Sequence, residues 1–343
     1  MKIISKIDQI SRKKWADFVR EHANGNVFQT PEMFDVYNKT KKYEPVFLAV
    51  VSEKDEIQAT LLAVIMKEHR GLLGKFSSRS IIWGGPLVQN DEPAVLDFIL
   101  KEYDKVIGAK AIYTQFRNLW DAENEIQIFG DHNYKFEDHL DIILDLTKSE
   151  DQLWKEVHSK RRNEIRRASR EGVEFHVQES PKALQECYSI LEEVYNRAGL
   201  PLPTLHFFQS LYNYLDGNPG LVIFTATYQD KIIGCMLALS YNNVLYDYYA
   251  GSYKEYYKKY PNDLIPWRAF LWAKENLFSV FDFGGAGKPN IPYGVRDYKL
   301  KFGGELVNWG RYEKLHKPAM MRIGKIGLKL MKVKNGLFSK INS

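Results

Sequence analysis

The sequence predicts a mixed α/β (α+β) fold made of two tandem copies of one unit. Three observations carry this expectation. Apolar, β-branched runs alternate with stretches of helical periodicity along the chain. The pattern then repeats: Val46 to Val50 lie 175 residues before Leu221 to Thr225, and Ile57 lies as far before Ile232. Finally, 343 residues suit two domains of ordinary size.

In order, NVFQTPEMFDVY reads as a loop and short helix, and EPVFLAVVSEKDEIQATLLAVIM as two strands around a charged turn. SIIWGGPLV gives a further strand. In AVLDFILKEYDKVIG, Leu96, Ile99, Leu100 and Tyr103 share one helical face, and the strands AIYTQFRNL and HLDIILDL follow. The second half echoes this order. LPLPTLHFFQSLYNYL leads into the hairpin GLVIFTATYQDKIIGCMLALSYN, the strand NVLYDYYAGS, the helix PWRAFLWAKENLF, and the strands SVFDFGG and ELVNWGRYE.

Between the halves the spacing predicts one helix over Glu150 to Glu171, with Ser149 as N-cap and Gly172 as its stop. Leu153, Trp154, Val157, Ile165 and Ala168 share one side, while Lys155, Arg162, Arg166 and Arg170 form a stripe on another. Arg161 falls within the apolar arc, so its guanidinium must be paired or must reach past the core edge. Domain boundaries are accordingly expected at 1–148, 149–316 and a tail at 317–343.

Hydrophobic residues at 45% and charged residues at 27% describe a folded globular chain. From Arg311 to Ser343 nine Lys and Arg face Glu313 alone, which leaves 39 basic against 42 acidic groups in the first 310 residues. The basic character therefore belongs to the tail. Cys187 and Cys235 are too few for a disulfide framework and read as buried free thiols. The scattered histidines lack metal-ligand spacing, so no metal is expected. MKIISKIDQISRKKW reaches charge too soon for a signal peptide, and no window approaches a membrane span, so a cytoplasmic location is expected. Phe283 to Lys288, FGGAGK, follows a strand, but Pro289 stands where a phosphate loop needs Ser or Thr. No GxSxG is present.

SKRRNEIRRASREGVEF, YAGSYKEYYKKYPNDLIPWRAFLWAKE and VRDYKLKFGGELVNWGRYEK, with FQTPEMF in the first half, resemble the FemAB family. These are aminoacyl and acyl transferases built from two tandem N-acetyltransferase-like (GNAT-like) domains. The resemblance spans about residues 10 to 315. It implies transfer of an acyl or aminoacyl group to an amine of a cell-envelope precursor, a peptidoglycan precursor or a lipid-linked glycan. Other readings are a coenzyme-A-dependent N-acyltransferase on an amino sugar, and a non-catalytic module that binds envelope glycan. The long helical arm of some Fem enzymes has no counterpart in this sequence.

Attack of an amine on an activated carbonyl needs removal of a proton and positive charge near the oxyanion. The family's closing pattern matches Tyr298, Lys299, Phe302 and Gly303, which implies a catalytic role for Lys299 and substrate contact for Phe302. Asp247 is the candidate base. Arg161 and Arg162 are candidates for a bidentate clamp on acceptor anions. Tyr246 and Tyr248, alternate residues of one strand, are candidates to hold a sugar or peptide. Gln29 and Asn262, within the family-like segments, complete the expected substrate-binding set. No cofactor is expected to be tightly bound. The donor is either aminoacyl-tRNA or acyl-coenzyme A: SYKEYYKKYPNDL lacks the glycines of a pyrophosphate loop, and Lys254, Lys258 and Lys259 among tyrosines suit a polyanion such as tRNA.

In the tail, Arg322, Lys325, Lys329 and Lys332 fall on one arc of a helical wheel, with Met320, Ile323, Ile326, Leu330 and Met331 over the rest. This predicts an amphipathic basic helix at an anionic membrane surface, with the enzyme peripheral at its inner face.

Overall fold

In a computed structural model, which describes residues 1–67, 78–318 and 320, the chain divides into two compact units. The first is Met1–Glu137 with Gly310–Ser343, and the second is Asp138–Trp309. The expected tail helix falls on residues of which 319 and 321–343 lie outside the described ones. Among the described residues no helix is long and apolar enough to cross a membrane.

In chain order the first unit contains β1 (Lys2–Ile4), α1 (Arg12–Glu21), α2 (Pro31–Lys39), β2 (Tyr43–Val51), β3 (Ile57–Met66), β4 (Arg79–Trp83), β5 (Leu87–Val88), α3 (Pro93–Ile107), β6 (Tyr113–Arg117), α4 (Ile126–Asp131) and β7 (Lys135–Glu137). The second contains β8 (Leu140–Asp145), α5 (Glu150–Glu156), α6 (Ser159–Arg170), β9 (Glu174–Gln178), α7 (Pro181–Ala198), α8 (Leu205–Tyr214), β10 (Gly220–Tyr228), β11 (Lys231–Tyr241), β12 (Val244–Ser252), α9 (Pro261–Glu275), β13 (Val280–Asp282), α10 (Gly294–Lys299) and β14 (Glu305–Asn308). The last strand, β15 (Arg311–Leu315), belongs to the first unit again.

The strand orders are β1-β2-β3-β4-β6-β15-β7, with β5 beside β3, and β9-β10-β11-β12-β13-β8-β14. They correspond position by position. In each, one pair is parallel, β4 with β6 and β12 with β13, and the expected hairpins are β2–β3 and β10–β11. Both hairpins carry an irregularity near the turn, at Val50/Val51 and Ala226/Thr227. The duplicated order read from the sequence is thus present in the sheets.

The domain boundaries differ from the expected ones. β8, placed by the sequence at the end of the first half, fills the sixth position of the second sheet, and β15 fills that position of the first. Side-chain burial explains both placements. Ile142 and Leu144 of β8 are buried in the second core, while Tyr312 of β15 stacks on Phe129 at 3.9 Å in the first and donates its hydroxyl to the Ala122 carbonyl. ELVNWGRYE, read as one strand, is therefore two, broken at Gly310. This residue has φ +64, and a Cβ would lie 2.1 Å from the Phe136 ring.

The single helix expected over 150–171 is also two. Val157 is extended, and His158 caps α6 by accepting from the Lys160 N–H at 3.3 Å. The His158 N–H donates to the Lys301 carbonyl at 2.8 Å, so a segment 143 residues away fixes the break. Leu153, Val157, Ile165 and Ala168 still enter one core, as their shared face requires. Cys187 and Cys235 are buried free thiols, as expected.

Candidate active site

The parallel pairing of β12 with β13 covers only Val244–Tyr246 against Val280–Asp282. Beyond it β13 ends while β12 runs on to Ser252, so the two strands part at Asp247. The chain leaves β13 through Phe283, Gly284 and Gly285, and Gly284 has φ +67. An Asx-type contact starts this turn: Asp282 Oδ1 accepts from the Gly284 N–H at 2.6 Å.

Two cations of α10 hold the turn from outside. Lys299 Nζ donates to the carbonyls of Phe283 at 2.5 Å and of Gly284 and Gly285 at 3.3 Å. Arg296 donates to the carbonyls of Lys288 and Ile291, each at 2.8 Å. FGGAGK thus turns carbonyl oxygens to cations of its own chain, an arrangement opposite in sign to a phosphate cradle.

Asp247 is half-buried where the strands part. Desolvation pushes its carboxyl up to about 6, against the pull of the Lys299 ammonium and with a further push from Asp282. The structure therefore brings the two expected catalytic residues together. A carboxylate titrating near 6 is suited to accept a proton at neutral pH.

Beneath them lies a pair of acids that the sequence reading passed over. Asp282 and Asp141 are almost fully buried on β13 and β8, and burial together with Asp141 drives the Asp282 carboxyl well above its usual range. The signal was present, since each is an acid inside an apolar strand, LDIIL and VFDFG. Tyr246 stands opposite Asp282 in the β12–β13 register and is buried, with its hydroxyl pushed up by desolvation and by both acids.

The other expected residues fall elsewhere. Arg161 and Arg162 do not form a shared clamp. Arg161 pairs with Glu164 at 3.0 Å and with Asp263, and its guanidinium lies 5.2 Å from the centroid of the Tyr298 ring. Arg162 donates instead to the Trp154 and Lys155 carbonyls at 3.2 and 3.3 Å. The guanidinium in the apolar arc is paired, as its position required, by acids of its own unit.

Gln29 is fully buried in the first unit; its amide bonds the Leu62 N–H and carbonyl and the Trp83 carbonyl, so it ties β3 to β4 and cannot meet substrate. Phe302 is likewise a core residue, packed near Phe270, Phe283 and Tyr298. Tyr246 is enclosed among carboxyls and is no open platform. Tyr248 remains partly exposed, 6.4 Å from Phe207 and 4.8 Å from Tyr249 between ring centroids. Asn262 accepts the Tyr298 hydroxyl on its carbonyl, which anchors α10 next to Lys299.

Residues 157–300 match the acetyltransferase (GNAT) domain family. Over 310 residues the chain is 23% identical to the UDP-N-acetylmuramoylpentapeptide-lysine N(6)-alanyltransferase of Weissella viridescens, covering 83% of this chain and 87% of that protein. The crystal structure of FemX superposes with a TM-score of 0.73 over 94% of this chain and 99% of that one, at 14% identity. The chain is a homologue of the Fem-type transferases. A tandem GNAT protein from the clavulanic acid biosynthesis pathway superposes with a TM-score of 0.60 over 93% of this chain and 99% of its own, at 9% identity. The Fem-type homologue thus has the tandem GNAT-like fold expected of it, and in its second unit Asp247 and Lys299 lie where the parallel strands part.

Proposed function

We propose that the protein transfers an aminoacyl or acyl group to an amine of a peptidoglycan precursor, with charged tRNA as donor. The observation that carries this reading is the Asp247–Lys299 pair where β12 and β13 separate. Asp247 takes a proton from the acceptor ammonium, and the freed nitrogen attacks the donor carbonyl. As the C–N bond forms and the ester C–O bond breaks, the nitrogen gives up a second proton to the leaving oxygen, and the first passes from Asp247 to solvent. Lys299 supplies fixed positive charge beside the oxyanion, and its two 3.3 Å contacts are those it gives up most readily.

The donor choice rests on the segment before α9, a 3-10 turn over Lys254–Lys259 that contains lysines and no glycine. Such a segment offers side-chain cations to a long polyanion, not a nest of backbone amides to one pyrophosphate. The coenzyme-A-dependent reading is the competitor. To decide, the purified chain is given nucleotide-linked pentapeptide with either alanyl-tRNA or acetyl-coenzyme A, and the product is weighed by mass spectrometry. Addition of an aminoacyl mass only with tRNA is expected. An acetyl mass, or none, rejects the reading. With the tRNA donor, Lys299→Met is expected to lose about 100-fold or more in turnover. Because Lys299 also holds three carbonyls, about 1–3 kcal/mol of stability goes with it.

The basic tail sequence supports a further element of this reading, peripheral attachment to an anionic membrane where lipid-linked precursors lie. Deleting residues 318–343 is expected to abolish flotation with phosphatidylglycerol vesicles; unchanged flotation rejects the attachment.

A further inference from the structure

The second unit carries a basic groove that the chemistry above does not use. It is a cavity of about 390 Å³ whose lining includes Lys160, Asn163, Arg167 and Arg170 on α6 and Tyr260 at the start of α9. Its one acid, Glu164, is held by Arg161 at 3.0 Å. Arg167 donates to the Tyr260 hydroxyl at 3.0 Å, and its guanidinium lies 5.2 Å from that ring's centroid. Glu171 joins the groove to the 3-10 turn by pairing with Arg167 at 2.5 Å and Lys259 at 3.2 Å. Lys160, Arg170 and Lys258 are exposed and make no ion pair among the described residues. Tyr260 adopts the left-handed conformation, φ +59, which is costly for a bulky residue, and its ring lines the groove.

We infer that this groove docks the phosphate backbone of the RNA that carries the donor group. The choice of RNA rests on the transferase reading above; the groove itself rests on geometry. Lys160 and Arg170 are ten residues apart on one helix, about 15 Å. That span covers several phosphates of a nucleic-acid strand, which repeat about every 3.4 Å along the helix axis, and exceeds one pyrophosphate. Tyr260 adds a face for stacking. A membrane surface fits less well, because Ile165 and Ala168, the apolar residues of α6, are buried and the helix has nothing to insert into lipid.

The test is fluorescence anisotropy of labelled, uncharged tRNA with the full chain across a salt series. Lys160→Glu with Arg170→Glu is expected to raise Kd at least about 30-fold. It also reduces the slope of log Kd on log salt by about 1.5, the share of two phosphate contacts. The neutral pair Lys160→Gln with Arg170→Gln gives a smaller rise and the same loss of slope. Lys39→Glu with Lys101→Glu, the same charge change on the first unit, leaves Kd within about twofold. Wild-type affinity in both groove variants overturns the inference. So does competition by phosphatidylglycerol vesicles or coenzyme A that depends on Lys160 and Arg170 while RNA binding does not. Groove-dependent RNA binding without transfer from alanyl-tRNA rejects the transferase reading and leaves the groove standing; transfer with groove-independent binding does the reverse.

Discussion

Asp247→Asn is expected to lower turnover with alanyl-tRNA at least about 100-fold and, at the same time, to raise the melting temperature at alkaline pH. The first effect is the loss of a proton acceptor. The second follows from the raised carboxyl. Its folded-state value of about 6 lies above the ordinary value near 3.9, so the folded protein holds this proton more tightly than the unfolded chain. The stability it contributes is complete below about pH 4 and is lost as the pH rises through 6. Above that, a half-buried carboxylate opposes folding, and Asn removes the opposition. Melting curves of the two proteins should coincide at pH 4 and separate at pH 8, with the variant higher. Wild-type kcat/KM should climb through pH 6 to a plateau. A variant with wild-type turnover removes Asp247 from the mechanism.

Arg161→Met is the substitution expected to cost most stability. It leaves the carboxylates of Asp263 and Glu164, with side chains 6% and 17% exposed, facing each other without their cation. Breaking a buried pair in this way costs about 3–5 kcal/mol. Adding Asp263→Asn and Glu164→Gln to the same chain should return most of the loss, because the penalty lies in the unpaired charges and not in the missing guanidinium. A denaturant titration checks both, and a loss in the triple variant as large as in the single one refutes the assignment. Tyr298 rests beside the same guanidinium and precedes Lys299, so turnover should fall with stability in Arg161→Met.

The sequence shows the duplicated hairpins because local alternation and the 175-residue echo belong to neighbouring residues. It hides what depends on distant ones. β8 reads as a strand in either half, and only its pairing with β13 and β14, more than about 130 positions later, assigns it to the second sheet. The break at Val157 is set by the Lys301 carbonyl, which no helical wheel contains. Arg161 was conspicuous as a cation on an apolar arc. Its partner Asp263 was not, since an acid in the first turn of a helix is commonplace.

Of the candidate catalytic residues read from the sequence, the structure brings Asp247 and Lys299 near one another. Gln29 and Phe302 belong to the segments that resemble the family, yet they serve the cores of their own units, because a pattern kept for packing looks the same in one sequence as a pattern kept for chemistry. Asp141 and Asp282 were passed over for a related reason. Each reads as part of a strand, and only the fold sets Asp141 near Asp282, where burial and the neighbouring acid together raise the Asp282 carboxyl.

The exchange of β8 and β15 gives the two units different histories during synthesis. The second unit, Asp138–Trp309, is one continuous stretch and is wholly made before the ribosome reaches Gly310. The first begins at Met1 but lacks the strand between β6 and β7 until Arg311–Leu315 has emerged. The amino-terminal unit, which in most chains would fold first, is here the last to be completed.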